Sequence, residues 1–392
     1  MRIAINGAGI AGPALAVWLL RSGHEPTLIE KSPHFRTGGY MIDFWGVGYA
    51  VAEKMGILPE VLKAGYPFKE VRILDERGRK AGGFSVDVFR RVTKGRYISL
   101  PRGDLAATIY RTVEDRIGNS IAAIEQNDAT AHVAFEHGPS RDFDLVVGAD
   151  GLHSRVRQLV FGPQDRFERR LGCHVAIFEA EGYRPRDELV YVACATPGRQ
   201  VGRIALRGDR TMFLFVFRDE LMSGPEPSDP AEMRAILRGT FGNMGWETFQ
   251  ILEAMDEAED IYFDRVSQIR MEAWSTGRVV LLGDAASAVS LLAGEGTGLA
   301  MAEASVLAGK LHRAEGDHRV AFLNYERRLR SFVEGKQRSA QSFASTLVPR
   351  TPLGVWFRNQ TTRLLRLPVV AEFLLGRSLS VTDDFNLPEY DI

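Results

Sequence analysis

The feature that most constrains this chain lies at its start. Arg2-Ile-Ala-Ile-Asn6 reads as a short buried strand, and Gly7-Ala8-Gly9-Ile10-Ala11-Gly12 follows at once. Pro13 then opens a helix at a first-turn position where its missing N–H costs nothing, and Gly23 closes that helix. Pro26-Thr-Leu-Ile-Glu30 reads as a second strand, and its terminal acid stands near the ~20-residue interval expected between a phosphate-binding turn and a ribose-binding carboxylate. In such a unit Gly7 allows the tight turn and Gly9 lets a pyrophosphate approach the backbone. Gly12 lets helix and strand pack closely, and Glu30 can accept from a ribose diol. In a chain with 39 glycines the glycine pattern alone is weak, and an empty Gly-rich turn is the alternative. The strand before it, the helix after it and the acid beyond raise it to a dinucleotide-binding reading.

The same stretch, uncharged from Ile3 to Leu20 behind Arg2, superficially resembles a signal peptide. Asn6, three glycines and Pro13 interrupt it where an apolar helix should be continuous, so no targeting segment is expected. With Lys+Arg 49 against Asp+Glu 50 there is no basic surplus for nucleic acid. Cys173 and Cys194 are the only cysteines and form no CxxC, which leaves neither a disulfide framework nor a thiolate zinc site. The eight histidines never fall into HxxxH or HExxH, so no metal is expected. Gly-x-Ser-x-Gly is absent, which removes the serine-hydrolase reading. A cytoplasmic protein is expected, a monomer or weak homodimer, with no nucleic-acid or membrane partner.

Two further apolar runs, Asp144–Val147 and Arg278–Leu282, each lead to a Gly and an Asp. The first opens Gly148-Ala-Asp150-Gly151-Leu-His-Ser-Arg-Val-Arg157. The second opens Gly283-Asp284-Ala-Ala, continuing to Gly294-Glu-Gly296-Thr-Gly298 and a long helical pattern over 299–312 and 318–346. An Asp at a strand end suits a polyol hydroxyl, and a Gly-rich helix start could stabilise negative charge on the N1–C2=O side of a reduced flavin. Between these units, 171–218 reads as four strands at 173–180, 189–195, 200–206 and 211–217, an antiparallel sheet inserted between halves of a nucleotide-binding fold. The expected organisation is an α/β (α+β mixed) chain: a Rossmann-like FAD-binding domain over 1–170 and 265–335, an inserted substrate domain over 171–264, and C-terminal bridging helices over 336–392.

Three ordered motifs, the dinucleotide loop, the Asp-Gly turn and the Gly-Asp turn, resemble the single-component flavin aromatic hydroxylases of the para-hydroxybenzoate hydroxylase type. The resemblance spans roughly residues 1–335 and includes Ser99-Leu-Pro-Arg102-Gly-Asp-Leu105, similar to that family's Arg-x-x-Leu element. Arg36–Gly46 and the long C-terminal extension look most like the branch containing tetracycline-inactivating monooxygenases. The resemblance implies that Gly7, Gly9, Gly12 and Glu30 hold the ADP half of FAD, with Lys31 at the ribose edge. It places Asp43 and Arg102 along the cofactor, Asp150 and Gly151 in a region shared by FAD and NAD(P)H, Asp284 on the ribityl or pyrophosphate oxygens, and Gly294 and Gly296 against the isoalloxazine. It further implies NADPH or NADH as reductant, O2, a flavin C4a-hydroperoxide and hydroxylation of an aromatic or polycyclic small molecule. Ser287 and Ser290-Leu291 stand where the family usually has His and Pro, which changes the pocket shape.

Substrate-pocket candidates are Arg203, Phe215 and Leu291. Phe213, Phe215 and Phe217 alternate along one strand and present one aromatic face, either to a substrate or to a core. Arg203 among apolar neighbours either meets an acidic substrate group or lies solvated on a strand face. The tail beyond 347, with interspersed Arg and apolar residues broken by Pro349, Pro352 and Pro368, is expected to bridge or gate and not to anchor in a membrane. The alternative function is a same-fold flavin dehydrogenase or reductase that does not activate oxygen. A halogenase is weakened by the absence of Trp-x-Trp, and a non-catalytic nucleotide binder would have no use for the apolar middle sheet.

Overall fold

In a computed structural model, residues 1–32, 40–111, 113, 116–365 and 385–390 are described. Arg36–Gly39 and the later part of the tail pattern, including Val369, Val370 and Phe373, lie outside them. The opening strand–helix–strand forms as expected, with strands Arg2–Asn6 and Glu25–Glu30 flanking the helix Ala11–Arg21. Arg2–Asn6 and its neighbours Glu25–Glu30 and Leu145–Gly148 are parallel, and Val279–Leu281 adds in parallel beyond. The sheet is completed at its edges by Arg116–Gly118 and Ser275–Thr276, giving six strands. Its central strands are apolar on both faces because helices cover both, which is why they read as continuous hydrophobic runs. The helix Gly296–Arg313 packs on Ala11–Arg21 and is buried along most of its length.

The second layer is a seven-stranded sheet in the order Ile261–Ile269, Glu168–Glu181, Arg210–Arg218, Arg199–Ala205, Val190–Thr196, Glu70–Leu74 and Lys80–Ser85. All pairs are antiparallel except Val190–Thr196 with Glu70–Leu74. The sheet reaches beyond the expected insertion of 171–264. The four strands expected there are present, but the sheet also takes two strands from 70–85, and its other edge strand runs on to Ile269. Alternation could not reveal this, because Lys80-Ala-Gly-Gly-Phe-Ser85 carries two glycines and little β-branched character.

The seven-stranded sheet has two different faces. Phe213, Phe215 and Phe217 are fully buried under the helices Pro230–Phe241 and Thr248–Ala254, with Phe215 edge-on to Phe241 at 4.8 Å between ring centroids. Met212, Leu214 and Val216 face the other way and pack with Tyr66, Phe68, Leu291 and Leu292. The helix His318–Leu347 returns along Gly296–Arg313 and touches the strand Glu168–Glu181. The helix Pro352–Leu364 then lies on the far edge of the seven-stranded sheet, where Thr362 Oγ accepts from the Gly83 amide at 3.1 Å. Arg358 donates to Gln200 Oε1 and to the Leu347 carbonyl, each at 2.7 Å. Among the described residues no helix is long and apolar enough to cross a membrane.

Candidate active site

A groove of about 410 Å3 runs over the carboxyl ends of the parallel strands, where ligands bind in open α/β sheets. It is lined by the loop Gly7–Ala11, by Glu30 and Lys31, by Arg102, Asp150 and Gly151, and by Asp284, Leu291, Gly294 and Gly296. Three stretches more than a hundred residues apart in sequence are thus brought together by strand order.

At one end the Gly7 backbone has φ +110°, and a side chain there would drive its Cβ to 2.4 Å from the Ala149 carbonyl. Gly12 does not line the groove. A Cβ on it would come within 2.0 Å of the Gly7 carbonyl, so its role is the close packing of helix on turn. The first amides of the helix Ala11–Arg21 have no acceptor within their own helix and point toward this end. Glu30 accepts from the Ala8 amide through Oε2 and from the Ser32 amide through Oε1, both at 2.9 Å, which aims the carboxylate across the loop.

In the middle, Asp150 is committed to its own turn. Its Oδ2 accepts from Asn6 Nδ2 at 2.8 Å and from the amides of Arg155 and Val156, and its Oδ1 from Ser154 Oγ at 2.5 Å. It shapes the groove wall more than it offers free lone pairs. Arg102 borders the groove, its guanidinium near Gly9. Asp43 is not on the groove. Its carboxylate accepts from Tyr97 Oη and Ser99 Oγ, both at 2.6 Å, and borders a smaller cavity beside the Gly294–Gly298 turn.

At the far end Asp284 is exposed to the groove, and its carboxylate has no hydrogen-bond partner among the described residues. Desolvation by the surrounding groove walls raises its pKa, opposed by Arg102 and Arg157. The turn that carries it is held by residues that sequence reasoning gave no role. Glu303, fully buried on the helix Gly296–Arg313, accepts from the Gly283 amide at 2.6 Å, from Ser287 Oγ at 3.0 Å and from Tyr325 Oη at 3.4 Å. Burial pushes its carboxyl up to about 7, with those first two bonds opposing the shift. Ser287, at the usual His position, is therefore the hydroxyl that reaches Glu303. Arg157 is also fully buried and donates to the Leu152 carbonyl at 2.6 Å and the Ala285 carbonyl at 2.9 Å, joining the Asp-Gly and Gly-Asp turns. Ser290 has φ +150°, and its hydroxyl accepts from the Leu292 amide at 3.3 Å, so a strained serine turn replaces the proline segment. An acid within the small and apolar run from Leu299 to Leu307 was the available signal for Glu303, since a buried carboxylate must be partnered.

The outer wall is formed by Tyr40, Tyr262 and Leu291, the two tyrosine rings 6.5 Å apart between centroids. Asp264 accepts from Tyr262 Oη at 3.1 Å and pairs with His153 Nε2 at 3.0 Å, and that hydrogen bond raises the His153 pKa. Of the three pocket candidates only Leu291 borders the groove. Phe215 is core, as described. Arg203 is 3% exposed and neither solvated nor at the groove: it pairs with Glu247 at 2.7 Å and Asp187 at 2.8 Å beside Trp246.

The FAD binding domain family model matches residues 106–335, more than half the chain. A flavin-dependent monooxygenase from an unknown prokaryotic organism is 33% identical, with 99% of each chain covered. One from Legionella longbeachae serogroup 1 is 33% identical, covering 100% of this chain and 98% of the relative. The crystal structure of the tetracycline destructase Tet(55) superposes with a TM-score of 0.84 at 31% identity, covering 99% of this chain and 98% of that one. The glycine loop, the partnerless Asp284 and the depth of the groove fit FAD, and the chain belongs to the flavin-dependent monooxygenases of the FAD-binding-domain family.

Proposed function

We propose that this monooxygenase uses NADPH or NADH and O2 to hydroxylate an aromatic or polycyclic small molecule beside the Tyr40, Tyr262 and Leu291 wall. The observation that carries the reading is the continuity of one groove from the Glu30 carboxylate to that wall. FAD held there would supply the redox chemistry, two-electron exchange with a nicotinamide and activation of O2 with one atom going to an electron-rich carbon and the other to water, which no side chain here could do.

The residues bind, orient and exclude water. Gly9 and the helix amides behind it would take the pyrophosphate, Glu30 the ribose diol with Lys31 at its edge, and Asp284 the ribityl hydroxyls, where its groove-facing carboxylate gains the donors it lacks. Gly294 and Gly296 leave the turn open to a flat ring. Arg102 lies between the two halves and offsets the phosphate charge. Lys31, Arg155 and Arg265 are cations at the groove, and with His153 they are the groups available to a phosphate-bearing reductant that has no Rossmann domain of its own among the described residues. The hydrogen bond to Asp264 raises the His153 pKa there.

The similarity to Tet(55) makes a tetracycline one member of the substrate panel. The test is spectroscopic. Purified chain loaded with FAD should show a protein-bound flavin spectrum that bleaches anaerobically with NADPH or NADH and returns on admitting air. Bound flavin that neither nucleotide reduces would transfer the reading to a substrate-reduced dehydrogenase.

A further inference from the structure

Among the described residues Lys336 is the one buried lysine, 9% exposed, and it stands on the helix His318–Leu347, outside the three sequence motifs. Burying an ammonium is costly unless it is paired. Its partner is Glu295 of the Gly294–Gly298 turn, at 2.5 Å from Nζ, and the ammonium also lies over the rings of Trp45 at 5.2 Å and Phe332 at 5.4 Å. Two helices start at this point. Gly46–Met55 and Gly296–Arg313 meet backbone to backbone, so closely that a Cβ on Gly48 would lie 2.5 Å from the Gly298 Cα. Both helices turn their positive ends toward a cavity of about 20 Å3, which Asp43, Glu295 and Lys336 also line. Asp43 is occupied by Tyr97 and Ser99, and Glu295 is the carboxylate at this cavity that pairs with Lys336.

We propose that Lys336 is a positioning residue of the flavin site: through Glu295 it fixes the turn against which the isoalloxazine lies, and the pair sets the charge at that edge of the cofactor. This rests on the reading that the groove takes FAD with its ring against Gly294 and Gly296. A neutral pair leaves the two helix ends to favour the negative charge of reduced flavin. Removing Lys336 exposes that charge to an unbalanced carboxylate, whereas removing the charge of Glu295 leaves an unbalanced ammonium.

The two substitutions therefore act in opposite directions, which a role in packing alone would not produce. The midpoint potential of FAD bound to the full-length chain is measured by reductive titration against a reference dye, for wild type, Lys336→Met, Glu295→Gln and the double variant. Lys336→Met is expected to disfavour reduction about tenfold, a shift of about −30 mV for a two-electron couple. Glu295→Gln is expected to shift it the other way, and the double variant to return toward wild type. Shifts of the same sign in both single variants, or none in either, overturn the inference. If Lys336→Met does not fold, Glu295→Gln decides alone, and an unchanged or more negative potential overturns it. A wild-type chain that retains no FAD would instead sink the functional reading, and this inference with it.

Discussion

The two sides of the seven-stranded sheet handle aromatic and charged residues in opposite ways. On the side away from the groove, Phe213, Phe215 and Phe217 are closed over by two helices, and Arg203 is paired with both Glu247 and Asp187. On the groove side, Asp284 lacks a partner, glycines leave the turn bare, and Tyr262 remains partly exposed. Close packing and complete pairing mark a region whose task is stability. An unpartnered carboxylate facing the groove beside bare backbone marks a region completed by something other than the chain. The same residue types carry different meaning on the two sides.

The largest expected effect lies on the closed side. Phe215→Ala should destabilise the fold by about 3–5 kcal/mol through the cavity it leaves. Chemical denaturation reads that loss, and FAD affinity in the folded variant should be unchanged. A loss of FAD affinity without loss of stability would erase the distinction between the two sides.

Glu303 sharpens the comparison from within the groove wall. Its folded-state pKa of about 7 lies above its ordinary value of 4.5, so the native state holds this proton more tightly than the unfolded chain. Its contribution is fully present below about pH 4.5 and is lost as pH rises through about 7, on the order of 3 kcal/mol at ~1.4 kcal/mol per pH unit. Glu303→Gln should remove this part of the slope. The stability difference between wild type and variant should then move in favour of the variant as pH rises from 4.5 to 8, and a pH-independent difference would refute the assignment.

Arg203→Met should cost about 2–3 kcal/mol, less than the ~3–5 for a fully buried pair because Glu247 and Asp187 keep some exposure. Unfolding curves measure this, and substrate-stimulated turnover in the folded variant should be retained. Asp284→Ala has the opposite profile. FAD affinity should fall about 10–100-fold, for charge-assisted bonds worth about 1.5–3 kcal/mol, while the apo fold is as stable as before or more so. Fluorescence titration with FAD settles it, and undiminished affinity would remove Asp284 from the cofactor site. The smallest effect on the cofactor site is expected on removing residues 347–392, which should lower stability at the edge carrying Gly83 and Gln200 without changing FAD affinity.

The first and last parallel strands, the glycine loop and the three strand-to-turn units were legible because each carries a local signal: an apolar run, a Gly at a forced position, an acid at a strand end. Glu30, Asp284 and Gly294 were legible for that reason, Lys31 and Arg102 only through the family resemblance, and all five line one groove. What escaped was long-range. No local signal says that Glu70–Leu74 joins a sheet formed a hundred residues later, or which face of Arg210–Arg218 the helices cover. Arg203 and Phe215 were plausible pocket residues by type, and only packing reveals that they face away. Glu303, Arg157 and Lys336 escaped because a buried charged residue is identifiable in sequence only when its partner is known, and their partners lie 16 to 128 residues distant in Ser287, Ala285 and Glu295.

The central claim is that the groove supports oxygen transfer to an aromatic or polycyclic molecule. The direct measurement is NADPH oxidation by the FAD-loaded chain under labelled O2, with and without a panel of phenols and polycyclic aromatics that includes tetracyclines, followed by mass analysis of the products. The account predicts that at least one compound stimulates NADPH oxidation and gains a single oxygen atom carrying the label. Stimulated turnover in which no product carries the label would contradict it.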